Sequence, residues 1–190
     1  MSRRPDILDE FTAEHRAVEE LLTRIEAGLG AGSATPEAPG APEEPDGAGT
    51  ADTPGSTGAA GPAGTAEASA ELDEAAGLLT DLLFSHCAAE EEHLFPVVQH
   101  DVPDGGALVF RCIHDHLAIG QYLSDLQGLP PGDPTAGTLL QGLAELLRRH
   151  LATEEEQLYA AARKALPADT RAALAERLRT TRAEIAEAGP

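Results

Sequence analysis

Four histidines of this sequence lie within runs of apolar residues that repeat every three or four positions. Residues with this spacing share one face of an α-helix, so each histidine points to the same side as the apolar residues around it. Two of these histidines are followed, four residues later, by a glutamate on the same face. The six candidates for chemistry are His15, His86, Glu90, His116, His150 and Glu154.

A helix face that is otherwise apolar is buried, and a buried carboxylate without a partner is very costly. The apolar stripes contain no inward-facing Lys or Arg that could neutralise Glu90 and Glu154. Metal ions are the simplest partners, because imidazole and carboxylate donors suit iron, manganese or zinc. The alternative interpretation is that these are core histidines with ordinary hydrogen bonds, or that the helices turn them outward.

The number of donors indicates how many ions bind. Four imidazoles and two carboxylates exceed what one ion accepts if water is also to bind. Two ions bridged by both carboxylates would each receive two imidazoles and two carboxylate oxygens. An oxide or hydroxide bridge would then leave one open position on each ion. We expect iron, with manganese and zinc less favoured, because a redox-inert ion gives no evident reason for such a site.

Several residues nearby compete for a role in the site. His114 is an alternative to His116, but the residues on its own helix face are polar. Cys112 is predicted to be a core thiol, with contact to a metal ion as the alternative. Cys87 is expected to pack beside the site, and His93 is a candidate neighbour of the ligands. The acidic residues that directly follow Glu90 and Glu154 are interpreted as solvated: Glu91, Glu92, Glu155 and Glu156.

The apolar spacing is near 3.6 residues throughout, and none of it has the two-residue alternation of a β-strand. It predicts four main helices and a short C-terminal helix, in which Leu174, Leu178 and Ile185 form the apolar stripe. Pro96 should kink the second helix or loosen its last turn. We therefore predict an all-α, up-down-up-down four-helix bundle. The predicted helices span residues 6–29, 70–100, 107–127, 135–166 and 169–188.

One long segment stands apart from the helices. Residues 30–69 contain no Leu, Ile, Val, Phe or basic residue and are rich in Ala, Gly, Pro and acids. Such a segment cannot bury enough apolar surface to offset the entropy lost on ordering, so we predict a disordered linker, with a docking tail as the alternative. The length of the whole chain, residues 1–190, is typical of a single domain.

The charge balance excludes several classes of protein. The chain has 33 acidic and 13 basic residues and a formal net charge of −20. This balance disfavours unaided binding to nucleic acid or to anionic lipid. The sequence has no apolar run of roughly 20 residues, and its charged first residues are not a signal peptide. Two cysteines cannot form a disulfide framework, so a cytoplasmic location is expected.

The arrangement resembles the hemerythrin-like, or HHE, cation-binding family, and the match covers all four main helices. The resemblance implies a non-haem diiron four-helix bundle that meets O2 or related small molecules. Family roles include oxygen carriage, oxygen or redox sensing, iron or nitric oxide handling and, in some members, oxidation chemistry. The string His-x3-Glu-Glu-x2-Leu-Phe-Pro is the most specific part. The matching segments are Glu14-His15, His86 to Pro96, Asp115-His116 and His150 to Glu156.

The sequence departs from true hemerythrins in two places. Those proteins carry two histidines one turn apart in the third helix, whereas His116 has Gly120 four residues after it and Cys112 four before it. One imidazole is missing, which disfavours a reversible five-histidine O2 carrier. True hemerythrins also place the carboxylate of the fourth helix where Glu155 stands. We prefer Glu154, because it shares the histidine face.

The leading hypothesis is a cytoplasmic hemerythrin-like diiron protein that binds or senses O2, NO or iron. The alternative is a diiron oxidase or oxygenase that acts on a small organic or nitrogen-containing substrate, because the missing histidine would open the iron to substrate. A pocket larger than a diatomic molecule near Gly120 and Cys112 would favour the enzyme. A third hypothesis is a structural bundle with a vestigial site.

Overall fold

The computed structural model describes residues 5–32, 62–130 and 133–188, and all the regular secondary structure within them is helical. The predicted all-α class is confirmed, and each of the five predicted helices is present. Two of them are interrupted by a π-helical turn. In chain order the elements are α1 (Ile7–Gly32), α2 (Pro62–Ala89), a first π turn (Glu90–Leu94), α3 (Phe95–Asp101), α4 (Gly105–Gln127), α5 (Thr135–Thr153), a second π turn (Glu154–Tyr159), α6 (Ala160–Ala165) and α7 (Ala168–Ala188).

The helices on both sides extend into the predicted linker. Residues 30–32 belong to α1 and residues 62–69 belong to α2. The second of these segments begins with Pro62 and is rich in alanine. Proline is well tolerated in the first turn of a helix and alanine has the highest helix propensity, so this stretch extends α2. The rest of the predicted linker, residues 33–61, lies outside the described residues.

The first π turn lies directly before Pro96. The backbone N–H of Phe95 donates to the carbonyl of Glu90, which is five residues earlier instead of four. A wider turn accommodates the proline ring, which would clash with the preceding turn of an α-helix. Pro96 therefore loosens the helix as expected, but the helix continues to Asp101. The second π turn contains no proline, and the sequence analysis missed it.

The apolar core has two clusters with a polar layer between them. The first cluster joins the start of α1 to α3, α6, α7 and the first half of α4, and the second joins the middle of α1 to α2, α5 and the second half of α4. On α1, Phe11 belongs to the first cluster and Val18 to the second. On α4, Cys112 and Ile119 take the same two positions. The predicted site histidines lie between these pairs, His15 on α1 and His116 on α4.

The main helices pack side by side around this core. Helix α1 packs along α2 and against α5 and α7, while α4 packs against α3 and α5. In the part of the chain that the structure describes, no helix combines the length and apolarity needed to traverse a bilayer.

The C-terminal helix α7 is fastened to the start of α1. Leu174 and Leu178 are buried in the first cluster, as predicted, but Ile185 is 66 % exposed, so its place in the apolar stripe is wrong. The helix ends near that residue without a neighbour to cover it. The buried Arg171 donates to the carboxylate of Asp6 at 2.8 Å and to the carbonyl of Leu166 at 2.5 Å. An ion pair of this kind fixes the position of α7 on the bundle.

Replacing Arg171 tests this attachment. Burial raises the pKa of Asp6, but the hydrogen bond and charge of Arg171 outweigh burial and lower it. Arg171→Ala should lower the free energy of unfolding at neutral pH by about 3 kcal/mol, because it removes the guanidinium from a buried carboxylate. Urea denaturation followed by circular dichroism measures this loss. The exposed Arg177 on the same helix provides the control, and Arg177→Ala should change stability by less than about 0.5 kcal/mol.

The pH dependence of that difference has a definite sign. Since the pKa of Asp6 is lowered in the folded protein, the ion pair contributes above the ordinary carboxyl value of 3.8. The contribution is lost as the pH falls through the folded value. The stability gap between wild type and Arg171→Ala should therefore narrow in acid. An unchanged gap across that range would contradict the assignment of the pair.

Candidate metal centre

The structure brings all six predicted site residues together in the polar layer between the two apolar clusters. Each of the six side chains is buried, with at most 8 % of its surface exposed. They come from four helices, because α1, α2, α4 and α5 each contribute one histidine. The two glutamates each follow a histidine by one turn: Glu90 at the start of the first π turn, and Glu154 at the start of the second.

The donor atoms form two groups that share both glutamates. Within each group, one donor atom from every residue lies within 4.8 Å of the others. The first half-site consists of His15, His86, Glu90 and Glu154, and the second half-site of Glu90, His116, His150 and Glu154. Two imidazoles and two shared carboxylates per half-site is the arrangement that the donor count predicts for a pair of bridged ions.

Glu154 faces both half-sites, with one oxygen toward each. Its Oε2 lies 3.3 Å from Nε2 of His15 in the first half-site. Its Oε1 lies 3.4 Å from Nε2 of His150 in the second. A carboxylate placed in this way can bridge two cations, giving one oxygen to each.

Glu90 is placed differently. Its Oε2 lies 3.4 Å from Nε2 of His86 and 3.4 Å from Nε2 of His116, so the same oxygen faces both half-sites. Its Oε1 accepts a hydrogen bond of 2.5 Å from the hydroxyl of Tyr159. The hydroxyl also lies 3.2 Å from Nε2 of His15, and Tyr159 is buried. Tyr159 thus belongs to the first half-site, and the sequence analysis did not find it.

Several donor atoms at the centre of the layer have no hydrogen-bond partner among the described residues. Buried polar atoms are almost always satisfied, so a cluster of unsatisfied atoms needs an explanation. Each of these atoms either would face a cation held in one of the half-sites or belongs to a residue that would bind it. They are Glu90 Oε2, His116 Nε2, both ring nitrogens of His150 and both carboxylate oxygens of Glu154. The donor set and its unsatisfied atoms therefore fit bound metal ions.

Three of the four half-site histidines also donate a hydrogen bond to a carboxylate from the other ring nitrogen. Nδ1 of His15 donates to Glu155 at 2.8 Å, and Nδ1 of His116 donates to Glu91 at 2.8 Å. Both glutamates are solvent-exposed, as predicted, but each also bonds a ligand ring, a role that the sequence analysis did not assign. The spacing places them one residue beyond Glu154 and Glu90, at the edge of the buried face. A carboxylate on Nδ1 fixes the ring so that Nε2 faces the ion.

The remaining two imidazoles face acids of α1 and α4, but a hydrogen bond forms only on α1. Nδ1 of His86 donates to Glu14 at 2.9 Å. Nδ1 of His150 lies 3.8 Å from Asp115, beyond hydrogen-bond distance. We refer to Glu14, Glu91, Asp115 and Glu155 as the outer carboxylates.

The two half-sites are related by a repeat in the sequence. Residues 86–95 read HCAAEEEHLF and residues 150–159 read HLATEEEQLY. Each string supplies a ligand histidine, a shared glutamate, an outer carboxylate and a terminal aromatic ring. The Glu-His pair of α1 corresponds in the same way to the Asp-His pair of α4. The aromatic rings stack on opposite histidines: Tyr159 on His15 and Phe95 on His116, with ring centroids 5.4 and 5.5 Å apart.

The pKa values of the buried site residues are shifted by burial and by their charged neighbours. Burial and the neighbouring Glu154 raise the pKa of Glu90. Burial would also raise the pKa of Glu154, but the nearby imidazoles of His116, His15 and His86 outweigh burial and hold that pKa well below its ordinary value. Burial would lower the pKa of His86, yet the surrounding carboxylates raise it well above the ordinary value. Burial dominates at His150 and lowers its pKa to about 4. Protons shared among these neighbouring acidic and basic side chains therefore offset the negative charges of the two glutamates. Divalent cations can offset the same charges.

A comparison with protein families gives the assignment. The family model described as the hemerythrin HHE cation-binding domain matches residues 6–162. The chain belongs to this family. Comparisons with curated proteins and with solved structures gave no match.

The family match covers all six residues of the two half-sites and all four outer carboxylates. It ends within α6, so α7 lies beyond it. This hemerythrin-family centre thus consists of residues from the matched region, while one further helix packs against it from outside.

The alternative ligands do not belong to either group of donor atoms. His114 is exposed and borders a shallow groove between α4 and α5, whereas His116 lies in the second half-site. Glu155 binds the outer nitrogen of His15 and does not enter either half-site. Cys112 is buried in the first apolar cluster, where burial raises the pKa of its thiol and keeps it protonated. His93 lies 3.9 Å from Glu92 and not beside a ligand.

A groove of about 400 Å³ between α1 and α5 approaches the centre from outside. His15 and Glu155 form part of its wall, and Arg16 and Arg148 lie at its rim. Gly120 and Cys112, where a pocket would favour an enzyme, do not line this groove. A Cβ built on Gly120 would meet no atom within 4 Å, which places this residue beside open space. The groove thus borders His15, a residue of the first half-site.

The role of the outer carboxylates can be tested with neighbouring glutamates. Glu91→Ala should weaken the binding of one ion by about tenfold, because His116 loses the group that orients it. Glu92→Ala changes the adjacent residue of the same π turn, which is exposed, and should leave metal affinity unchanged. Competition titration with Zn²⁺ measures both. Equal affinities for the two variants would show that Glu91 is only a surface charge.

Proposed function

We propose that this protein holds a non-haem diiron centre and binds or senses a small molecule, O2 or NO, or iron itself. The observation that carries the proposal is the pair of buried glutamates shared by two half-sites, each with two imidazoles and unsatisfied donor atoms. His15 and His86 would hold one ion, His116 and His150 the other. Glu90 and Glu154 would bridge the two ions, together with an oxide or hydroxide.

Iron is favoured by the surroundings of the donors as well as by their type. Nitrogen and oxygen donors are compatible with iron, manganese and zinc. When bound, a pair of irons supplies electrons to small molecules, which a redox-inert ion does not. The chain contributes a buried hydroxyl beside these donors, since the O–H group of Tyr159 donates a hydrogen bond to Glu90. Burial and the charge of Glu90 raise the pKa of Tyr159 well above its ordinary value, so the proton stays on the hydroxyl.

The residues around the centre also control access to it. The apolar clusters on both sides exclude water, and the outer carboxylates orient the rings. A diatomic ligand would reach the first half-site through the groove beside His15. Both cysteines are free thiols, as is usual in a reducing compartment, which supports a cytoplasmic location.

Metal content tests the diiron proposal. Aerobically purified wild type should contain about two iron ions per chain and show the near-ultraviolet absorption of a bridged ferric pair. His86→Ala and His150→Ala should each lose the bridged-pair absorption, and Glu154→Ala should lose both ions because it serves both half-sites. His114→Ala, an exposed histidine of α4, is the control and should retain both ions. Circular dichroism verifies that each variant is folded.

One outcome contradicts the proposal directly. If wild type contains no iron after anaerobic reconstitution with Fe²⁺, the diiron assignment is wrong. Stoichiometric Zn²⁺ in the same protein would then assign the centre to structural or zinc-binding use.

A diiron oxidase or oxygenase is the second candidate function, and the groove beside His15 favours it. Its volume of about 400 Å³ exceeds what a diatomic ligand needs, and its rim carries arginines as well as acids. A small organic or nitrogen-containing substrate could therefore reach the first half-site.

Oxygen consumption distinguishes the two functions. A sensor or carrier binds O2 or NO and releases it unchanged, so the reduced iron-loaded protein should take up O2 once, in stoichiometric amount, and release it when O2 is removed from the solution. An oxidase continues to consume O2 as long as substrate and electrons are supplied. Sustained turnover with a small-molecule substrate would overturn the sensor proposal in favour of the enzyme.

A further inference from the structure

The C-terminal helix α7 reaches the metal centre although it lies beyond the region that the family model matches. Nη2 of Arg182 lies 2.6 Å from Oε1 of Glu14. The other oxygen of that carboxylate, Oε2, accepts the hydrogen bond of 2.9 Å from Nδ1 of His86. One carboxylate thus connects a side chain of α7 to a histidine of the first half-site.

This connection is the last of three ion pairs between α7 and α1. Asp6 directly precedes α1, and Glu10 and Glu14 follow at intervals of four residues, so the three acids lie along one side of the start of the helix. Their partners on α7 are Arg171, Arg179 and Arg182 in the same order. Since the first of these pairs is buried and anchored, the register between the two helices is fixed. The position of Arg182 over Glu14 follows from that register.

The corresponding contact in the second half-site is much looser. Asp115 takes the place of Glu14, and it lies 3.8 Å from Nδ1 of His150. The nearest arginine there, Arg149, is 3.7 Å from Asp115 and is 66 % exposed. No second copy of α7 supports this side within the described residues. The two half-sites therefore have equal ligands but unequal support behind them.

We propose that α7 is a functional part of the metal centre: Arg182 is a positioning residue that holds Glu14 against His86, so that the first half-site binds its ion more tightly than the second. The proposal rests on the metal-binding function proposed above. Its physical basis is that a carboxylate fixed on Nδ1 sets the ring orientation and keeps Nε2 aimed at the ion. A partly exposed ion pair adds little stability, so Arg182 can be replaced in a folded protein.

Stepwise titration with Zn²⁺ tests the proposal in three variants. Arg182→Gln should weaken the tighter of two binding steps by about tenfold and leave the weaker step unchanged. Arg182→Lys should restore most of that loss, because it returns a cation to Glu14. Arg177→Gln, an exposed arginine of the same helix, should behave as wild type. If Arg182→Gln and Arg177→Gln bind both ions equally well, the proposal is overturned.

A double variant shows whether Arg182 acts through Glu14. Glu14→Gln alone should weaken the tighter step, and the combination with Arg182→Gln should weaken it no further, because the two residues act in series. Additive losses would mean that Arg182 affects the centre only through the docking of α7, and would overturn the proposal.

A spectroscopic signal of His86 provides a readout that helix docking alone would not move. In the zinc-loaded protein, the Nδ1 proton of His86 should give a downfield, slowly exchanging NMR resonance. This resonance should shift and exchange faster in Arg182→Gln but not in Arg177→Gln.

Failure of this proposal can be distinguished from failure of the proposed metal binding. A wild type that takes up no Zn²⁺ or Fe²⁺ refutes metal binding itself and with it this proposal. A wild type that binds metal, with affinities that do not change in Arg182→Gln, refutes this proposal alone.

Discussion

Two buried glutamates determine how the rest of this structure is arranged. Glu90 and Glu154 are completely shielded from solvent, and among the residues that the structure describes their ion-pair partners are histidines. Two carboxylates so close to each other repel, and a bundle could bury them only with compensating positive charge. The four imidazoles, the unsatisfied oxygens and the outer carboxylates behind each ring are all consequences of that requirement. The two apolar clusters on either side keep water away from the layer.

Much of this arrangement is encoded in helical periodicity, which is why the sequence predicted it. The stripes of α1, α2, α4 and α5 fix which side of each helix is inside, and the histidines follow their apolar neighbours. The choice of His116 over His114 depended on that reasoning, and so did the choice of Glu154 over Glu155. In both cases the structure places the preferred residue among the donors.

The features that the sequence analysis missed depend on contacts between helices or on departures from regular helix geometry. Glu91 and Glu155 lie at the edge of the buried face, where periodicity does not separate a solvated acid from one bonded to a ring on another helix. Tyr159 lies five residues after Glu154 and reaches the same layer only because a π turn intervenes. The repeat between residues 86–95 and 150–159 was the available signal for Tyr159. The first copy ends in Phe95, which precedes Pro96, and Tyr159 holds the corresponding position in the second copy. The end of α1 and the start of α2 were misplaced because the linker was predicted from low hydrophobicity. Low hydrophobicity does not prevent an alanine-rich sequence from forming a helix.

The ligands of the two half-sites are symmetric, and their surroundings are not. A hydroxyl lies in the first half-site, where the corresponding ring in the second is Phe95, and this hydroxyl holds one oxygen of Glu90. The groove from the surface also ends at His15 of the first half-site. Arg182 and Glu14 support the same half-site from behind, while Asp115 remains at a longer distance from His150. The repeat therefore gives two half-sites with equal ligands, and the departures from symmetry lie around one of them. The groove, the hydroxyl of Tyr159 and the Glu14 carboxylate held by Arg182 are all found at the first half-site, so the surroundings of the two half-sites are not equivalent.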